Sequence, residues 1–408
     1  MPKGKSDIPD LRLERLTKLI SSFTSPPNLI LMGLFGSFDA DSDSIKWESI
    51  VGNRGMTPFS APGAPSPTTA PSGKASHEAS AAMWKEKMYM DEVFLNNLRE
   101  PGTDQTYETA KRRLARETLS LRWRSDRRKE WMFAQMLTAG SFTYKNTVGA
   151  RVTVDYGVPT ANIVSLAANR YWDDGSQRNI IEDVMDAKLT IQNAIGAKLD
   201  YAMITTEILK DMILDKGIQT LLQKSTFGDG DLFARPVTVI KSLLDIDNLV
   251  VYDEQYEATA WLTAVVTADS TTSVSVDDSS DFVAGGTLRF HDISAGTYED
   301  ETIASVDVDG ATVTVSTAPS TSYKAGEDKV TMTKKFLPTT KFCMFASTVE
   351  GQKIAEYFAA PYGLGRKWGL NVDTHEEWDP DGIWIRVQDK GLPVLYRRDA
   401  LYILTVKD

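Results

Sequence analysis

Residues that could carry out catalysis or bind a metal are few and scattered in this chain. Cys343 is the only cysteine, which excludes an intrachain disulfide and a metal site built from several thiolates. The pair His77-Glu78 begins like the helix motif of zinc proteases, but Ala81 occupies the place of the second ligand. The other two histidines lie in distant segments, at His291 and His375. These residue types predict neither a zinc centre nor a histidine-based catalytic group.

Alternating aspartates near the N-terminus resemble the beginning of a calcium-binding loop: Asp39, Asp41 and Asp43. Such a loop needs a glycine where this chain has Ser44 and a terminal glutamate where it has Ile50. We therefore favour a solvated acidic turn over a calcium site.

Glycine-rich motifs for nucleotide binding are incomplete as well. Gly363 and Gly365 are followed by Gly369, one residue too late for a dinucleotide-binding fingerprint, and no strand is predicted before them. The chain also has no phosphate-cradling Gly-x-x-x-x-Gly-Lys motif and no nucleophile elbow. We expect no catalytic residue, no metal site and no cofactor, and we predict that the protein is not an enzyme.

A dense run of basic residues is the strongest chemical signal in the sequence. Lys111–Lys129 contains nine basic and two acidic residues, a local charge of +7. One interpretation is a solvated helix face whose arginines form ion pairs between subunits. The other is a surface that faces the phosphates of a nucleic acid without reading its bases. The candidate residues for both interpretations are Arg112, Arg113, Arg116, Arg124, Arg127 and Arg128.

Acidic residues are concentrated in a different part of the chain. Ala258–Thr333 contains 12 acidic and 3 basic residues, a charge of −9, whereas the whole chain carries −11. The other 332 residues therefore carry only −2. The overall balance argues against a generic nucleic-acid binder, and the acidic segment is expected to avoid nucleic acid and face solvent.

The basic run lies on the longest predicted helix, Thr103–Ala139, which contains no proline and no internal glycine. A helix of this length would extend about 50 Å, which is typical of a flat or elongated domain. One narrow stripe along it is marked by Leu114, Thr118, Leu121 and Ser125. A β-hairpin is predicted to follow over Ser141–Tyr156, because its apolar residues alternate around a Gly149 turn.

The segments before this helix differ sharply in composition. Asp10–Phe23 is predicted to be an amphipathic helix that packs on a partner or another domain. Thr57–Ala82 cannot form a core, because 22 of its 26 residues are Ala, Gly, Pro, Ser or Thr. It is either a disordered linker or an extended loop ordered by neighbours, and its flanks favour the loop. Ser44–Val51 and Met83–Val93 are predicted as the two strand-forming arms around its tip.

After the hairpin, helical and strand patterns alternate, which is typical of an α/β arrangement. Helices are predicted over Ile180–Ile195, Thr206–Gln223 and Gln352–Ala359, and strands over Leu249–Tyr252, Phe342–Phe345, Trp384–Val387 and Leu401–Val406. The acidic segment instead has short alternating strands separated by turns, so we predict a small all-β domain inserted there. Its predicted strands are Trp261–Val266, Ser273–Val276, Thr287–Phe290, Thr302–Val308, Thr312–Ser316 and Lys329–Thr333.

Length and hydrophobicity limit where such a chain can act. With 408 residues, 42% of them hydrophobic, it can form two or three domains with sizeable cores. No apolar run reaches the ~18 residues needed to span a membrane. Met1–Asp10 lacks the apolar centre of a signal peptide. We therefore expect a protein made and used in a cytoplasm, without a membrane partner.

The order of these parts resembles the lambda-type major capsid proteins of tailed bacteriophages, which have the Hong Kong 97 capsid fold. Asn53-Arg54-Gly55, followed by a Pro-rich segment that contains Phe59, is similar to a stretch of that family's E-loop. The Arg-rich helix after Leu98-Arg99-Glu100 and the hairpin at Lys145–Asp155 are similar to its spine helix and next hairpin. The most specific match comprises Leu249-Val250-Val251-Tyr252, Gln255-Tyr256 and Lys335-Phe336-Leu337-Pro338.

The resemblance implies an α+β fold with an N-terminal arm, an extended E-loop, a peripheral domain and an axial domain. The two halves of the most specific match sit almost side by side in the family, and the acidic β-domain separates them here. The expected boundaries are 1–43 for the arm, 44–100 for the E-loop, 101–160 for the peripheral domain with its spine helix, 161–257 and 334–380 for the axial domain, 258–333 for the inserted domain and 381–408 for the returning peripheral strands.

The function implied by the resemblance is that of a structural protein, the subunit of an icosahedral shell around phage double-stranded DNA. The expected partners are other copies in hexamers and pentamers, scaffold and portal proteins, a decoration protein, and packaged DNA through non-specific contacts. The expected location is the virion, after synthesis in the cytoplasm of a host bacterium. One alternative is an encapsulin-like bacterial nanocompartment with the same fold. The other is an adhesin, which the β-domain alone would suggest.

Overall fold

A computed structural model describes residues 13–24, 26, 28–50, 56, 57, 59, 60, 65, 66, 68, 74–91, 104–145, 150–173, 176–224, 231–363, 365–378 and 381–408. The chain divides into two compact units. The first comprises Met1–Tyr252 and Leu337–Asp408, and the second comprises Asp253–Phe336. The second unit is therefore one continuous segment that interrupts the sequence of the first.

The helices are α1 (Leu13–Ser22), α2 (Leu31–Leu34), α3 (Asp104–Ala139), α4 (Ile180–Ile195), α5 (Thr206–Ile213), α6 (Lys216–Gln223), α7 (Asp231–Ala234) and α8 (Pro236–Leu243). The strands are β1 (Gly36–Asp39), β2 (Ser44–Ile50), β3 (Lys74–Ser80), β4 (Ala82–Asp91), β5 (Ser141–Lys145), β6 (Arg151–Asp155), β7 (Ile163–Ser165), β8 (Tyr201–Ile204), β9 (Asn248–Val251), β10 (Gln255–Trp261), β11 (Ser273–Ser275), β12 (Thr287–Asp292), β13 (Thr297–Asp307), β14 (Thr312–Val315), β15 (Lys329–Lys335), β16 (Lys341–Phe345), β17 (Thr348–Val349), β18 (Gln352–Lys353), β19 (Ala355–Ala359), β20 (Asn371–Trp378), β21 (Asp381–Leu395) and β22 (Leu401–Thr405).

Helix α3 confirms the long predicted helix, and its predicted stripe is buried. Leu114, Thr118, Leu121 and Ser125 are each at most 6% exposed. The two polar members of the stripe are satisfied by hydrogen bonds. The Thr118 hydroxyl donates to the carbonyl of Leu114, and the Ser125 hydroxyl accepts from the indole N–H of Trp84 on β4. The stripe can therefore be buried without leaving an unpaired polar group.

A five-stranded sheet lies against this helix. Its order is β1-β19-β21-β20, and β4 pairs with residues 382–391 of the long strand β21. Helix α1 contributes Leu16 and Ile20 to the same core, so of the two expected alternatives it packs on another domain, the one that contains α3 and β21. The core is completed by Met90, Leu114, Leu121, Val372, Ile383, Ile385 and Val387.

A second five-stranded sheet of the first unit has the order β7-β22-β16-β8-β9 and forms the α/β part of the fold. Helices α4, α5, α6 and α8 contribute to its core. The predicted helix Thr206–Gln223 is two helices, because Asp215 ends one and caps the next. Its carboxylate accepts from the backbone N–H of Ile218 at 2.9 Å, which stabilises the beginning of α6.

Two further predictions for this unit were wrong. The segment predicted as the helix Gln352–Ala359 forms β18 and β19, and β19 lies between β1 and β21. The arm that pairs with β2 is β3, which begins inside the proline-rich segment and not at Met83. The strand that contains Met83 is β4, and it pairs with β21 instead. The predicted hairpin around Gly149 is present as β5 and β6, but Gly149 itself lies outside the described residues.

The second unit is a six-stranded antiparallel sheet with the order β10-β15-β12-β13-β14-β11. Its first and last strands pair from Gln255 with Lys335 to Trp261 with Lys329, so the chain enters and leaves at neighbouring positions. The strand predicted at Trp261–Val266 is displaced, because β10 ends at Trp261. Its core contains Leu288, Phe290, Val313, Tyr323 and Val330, among other residues.

Acidic side chains hold the turns of this unit. Asp328 is 3% exposed, and its carboxylate accepts from the backbone N–H groups of Ile293 and Lys324 at 3.0 and 2.7 Å. The carboxylate of Asp307 accepts from the N–H of Gly310 at 2.9 Å. Carboxylates are strong acceptors for backbone N–H groups that have no partner in a ladder. The acidity of the unit is therefore partly structural.

Three carboxyl groups of the unit have lowered pKa values: Asp292, Glu299 and Asp300. A hydrogen bond from the Ser294 hydroxyl lowers the pKa of Asp292, and the Arg289 guanidinium lowers the pKa of Asp300. Burial acts to raise the pKa of Glu299, but hydrogen bonds from Ser320, Thr321 and Tyr323 outweigh burial and lower it. The ionised forms of all three are thus favoured in the folded unit.

Candidate nucleic-acid interface

The six candidate arginines share the outer face of helix α3. At about 100° per residue, they fall within an arc of about 160° that excludes the buried stripe. Five of the six are exposed, and Arg127 is half-buried. Between Arg112 and Arg128, Glu117 is the one acidic residue that falls within the same arc. From Arg112 to Arg128 the row covers about 24 Å along the helix axis.

Acidic partners for this face are sparse. Arg124 forms an ion pair with Glu86 of β4, with Nη1 and Oε1 2.8 Å apart, although both side chains remain about half exposed. The guanidinium of Arg128 lies 5.3 Å from the ring centre of Trp131, in a cation–π contact. Within the described part of the chain, Arg112, Arg116 and Arg127 have no carboxylate within 4.0 Å.

Two other cations of the basic run point to the opposite side of the helix and stabilise the fold. Arg122 donates to the carbonyl of Ile20 and lies 3.5 Å from Asp126, so it holds α1 on α3. The ammonium of Lys129 lies 2.6 Å from a carboxylate oxygen of Asp389, whose side chain is fully buried. The nine basic residues therefore include two with structural roles, which charge counting alone did not distinguish.

A buried carboxylate on the same helix was not foreseen from any sequence pattern. Glu130 accepts from the backbone N–H groups of Leu31 and Met32 at 2.9 and 3.0 Å and from the hydroxyl of Tyr252 at 2.7 Å. Burial raises the pKa of Glu130, and these hydrogen bonds oppose that effect. Only the tertiary structure brings the three donors to one residue, so Glu130 joins the N-terminal segment to α3 and to the end of β9.

The other residues that could have formed a metal or catalytic site make contacts that stabilise the fold or are buried in it. The ring of His77 stacks on Trp47 and lies within hydrogen-bond distance of the Ser49 hydroxyl. Asp43 forms an ion pair with Lys390 at 2.6 Å. Burial raises the pKa of the Cys343 thiol to about 12, so it is protonated and inert at neutral pH. Among the described residues, no three His, Cys, Asp or Glu side chains come together as a metal site would require.

The outer face of α3 thus presents a line of guanidinium groups that can each contact a phosphate. Guanidinium groups bind phosphate oxygens through charge-assisted hydrogen bonds. The indole N–H of Trp123, which falls within the same arc, donates to the carbonyl of Thr24 at 3.2 Å. A convex face that projects mainly guanidinium groups would make phosphate contacts that are independent of sequence. None of the helices in the described ranges is long and apolar enough to cross a membrane.

Comparison with known proteins identifies the family. The family described as phage major capsid protein E matches residues 13–270, more than half of the chain. The chain belongs to this capsid protein family. It is therefore a structural protein of a phage capsid shell, located in the virion, whose copies assemble with one another. A search of curated proteins found no match.

Two solved structures share the fold over nearly the whole length of the chain. The putative capsid protein of a prophage from E. coli CFT073 is 12% identical, with a TM-score of 0.53, covering 97% of this chain and 98% of that one. A phage-related protein from Bordetella bronchiseptica RB50 is 11% identical, with a TM-score of 0.50, covering 96% and 95%. The α+β architecture is thus that of the Hong Kong 97 type of capsid protein, as expected from the resemblance.

Proposed function

We propose that this capsid protein forms hexamers and pentamers that close an icosahedral shell around double-stranded DNA, with the arginine face of α3 towards the DNA. The observation that supports the proposal is that Arg112, Arg116 and Arg127 have no carboxylate within 4.0 Å in the described part of their own subunit, so their charges are available to an external polyanion. Like charges about 6 Å apart along a helix repel one another, and a polyanion relieves that repulsion.

Removal of three unpaired charges tests this role. We expect the variant Arg112→Gln/Arg116→Gln/Arg127→Gln to bind a 30-base-pair DNA duplex more weakly. The slope of log binding constant against log salt concentration should become shallower by about one for each phosphate contact that is lost. The matched control removes three exposed lysines elsewhere, as Lys85→Gln/Lys210→Gln/Lys224→Gln. Equal salt slopes for the two triple variants would show that the face does not contact phosphate.

A second part of the proposal concerns the proline-rich loop, to which β2 and β3 are the arms. Between these two strands, Met56 and Phe59 are 88% and 105% exposed, which is unfavourable for such large apolar side chains in water. We infer that a neighbouring subunit covers them, as an E-loop across a neighbour would allow. Hydrogen exchange should be slower for residues 51–73 in shells than in free subunits. Equally fast exchange in both would show that the segment is only a linker.

The remaining partners are proposed from charge and position. Unit Asp253–Phe336 has 15 acidic and 5 basic residues, so we place it on the outside of the shell, where a decoration protein would bind. Scaffold and portal proteins are proposed partners in assembly, which would take place in the cytoplasm of a host bacterium. Deletion of 253–336, with Tyr252 joined to Leu337 by a short turn, should give shells of unchanged diameter in negative-stain images that lack the outer density. An insoluble remainder would show that this unit belongs to the core.

A further inference from the structure

One row of outward side chains crosses four adjacent strands of the second unit. Trp261 of β10 is paired with Lys329 of β15, Lys329 with His291 of β12, and His291 with Tyr298 of β13. At a strand spacing of about 4.8 Å, the two aromatic residues at the ends of the row are about 14 Å apart. The row therefore has an aromatic ring at each end and two polar side chains between them.

Both aromatic residues are open to solvent although the unit has a well-formed core. Trp261 is 45% exposed and Tyr298 is 63% exposed, whereas the alternate residues Ala260 and Phe290 are fully buried on the other face. Each exposed ring offers a flat apolar surface on which a ligand can stack. Their separation by polar residues prevents one continuous apolar patch.

The polar side chains beside the rings are held in place. Arg289 forms two hydrogen bonds with Asp300, at 2.7 and 2.8 Å, and its guanidinium lies 4.2 Å from the ring centre of Tyr298. A ring nitrogen of His291 lies 2.8 Å from the hydroxyl of Thr331, which is 2% exposed. Ordered side chains lose little conformational entropy on binding, so this face is prepared for a ligand.

We propose that this face binds a neutral polysaccharide whose chain runs across the strands from Trp261 to Tyr298. A sugar ring has an apolar face of C–H groups, which can stack on an indole or phenol ring, and a rim of hydroxyl groups that both donate and accept hydrogen bonds. Lys329 and His291 lie where those hydroxyls would fall. The Arg289–Asp300 pair beside the row and the net negative charge of the unit do not suit a polyanion.

The chemistry of the face distinguishes this ligand from a protein partner. A protein interface usually centres on a contiguous, fully desolvated apolar cluster. Here the two rings are isolated from each other, and the centre of the row is polar. The inference concerns the second unit alone and does not depend on the DNA-facing role of α3 or on the arrangement of subunits in a shell.

Binding of the full chain to immobilised mannan, galactan, dextran and chitin tests the proposal. We expect retention on at least one of them, and about tenfold weaker binding for each of Trp261→Ala and Tyr298→Ala. Tyr298→Phe keeps a stacking ring and should bind within about threefold of the parent chain. The control Val283→Ala truncates an exposed apolar residue outside the row and should bind normally.

Two results would overturn the inference. One is the absence of retention on all four polysaccharides by the folded parent chain. The other is retention that survives Trp261→Ala/Tyr298→Ala, which would place any sugar contact elsewhere. Unfolding of each variant, followed by circular dichroism, shows whether a loss of binding reflects a loss of structure. Neither result bears on the DNA-binding slopes of the α3 variants, so the two proposals fail separately.

Discussion

The buried pair formed by Lys129 and Asp389 provides a sharp test of how α3 is attached to its sheet. The Lys129 ammonium lies 2.6 Å from Oδ2 of Asp389, so the two opposite charges are in direct contact. The Asp389 side chain is fully buried, and that of Lys129 is 13% exposed. Lys129→Met keeps the apolar stem of the side chain and removes the charge. The change therefore isolates the effect of an unpaired buried carboxylate.

The expected cost at neutral pH is about 3–5 kcal/mol of unfolding free energy, because the remaining charge has no counter-ion in a dry environment. Burial already raises the pKa of Asp389, and Lys129 acts to lower it. Without Lys129 the folded-state pKa rises further above the unfolded value. A group whose folded pKa is raised in this way loses stability as pH increases through that interval. The deficit of the variant should therefore shrink as the pH is lowered from about 7 towards 5.

Urea denaturation of unassembled subunits at the two pH values measures the deficit. Lys129→Met/Asp389→Asn should recover at least half of it, since the buried charge is gone. Lys85→Met, at an exposed position on β4, is the control and should change stability by less than about 0.5 kcal/mol. A deficit below about 1 kcal/mol at neutral pH, or one that is equal at both pH values, would refute the reasoning.

Three further predictions concern local structure. Asp328→Ala leaves two backbone N–H groups without their acceptor and should destabilise the second unit by about 2–4 kcal/mol. The control Glu327→Ala, on the exposed surface, should leave the stability nearly unchanged, and thermal unfolding compares the two variants. Gly391→Ala places a Cβ against the hydroxyl of Tyr357 and the carbonyl of Phe358 and should lower the melting temperature, whereas Gly33→Ala has open space and should not. The second unit should also lose stability as pH falls below the ordinary carboxyl pKa values, because its lowered pKa values favour the ionised forms. Hydrogen-exchange protection of β12 and β13, taken relative to the intrinsic exchange rate at each pH, should fall on acidification, and unchanged protection would contradict this.

Local sequence patterns were sufficient for the elements whose stability is mostly local. Helix α3 follows from 36 residues without proline or glycine, and its stripe from Leu114 to Ser125 follows from helical spacing. The hairpin of β5 and β6 follows from alternation around a short turn. The arginine run on the outer face of α3 could also be located, because its six members share one arc of a helix whose inward stripe was known. The capsid family followed from the order of such parts along the chain.

Long-range pairing decided the rest. Ala355–Ala359 contains residues that are acceptable in a helix, but β1 and β21 lie on both sides of it and supply partners for an extended backbone. Likewise, β2 pairs with β3 and not with β4, because β21 takes β4 as its own neighbour. The hydrogen bonds of Glu130 and the ion pair of Lys129 with Asp389 join residues that are about 100 to 260 positions apart in the sequence. No local pattern encodes such contacts, since their free energy arises only when the fold removes both partners from water.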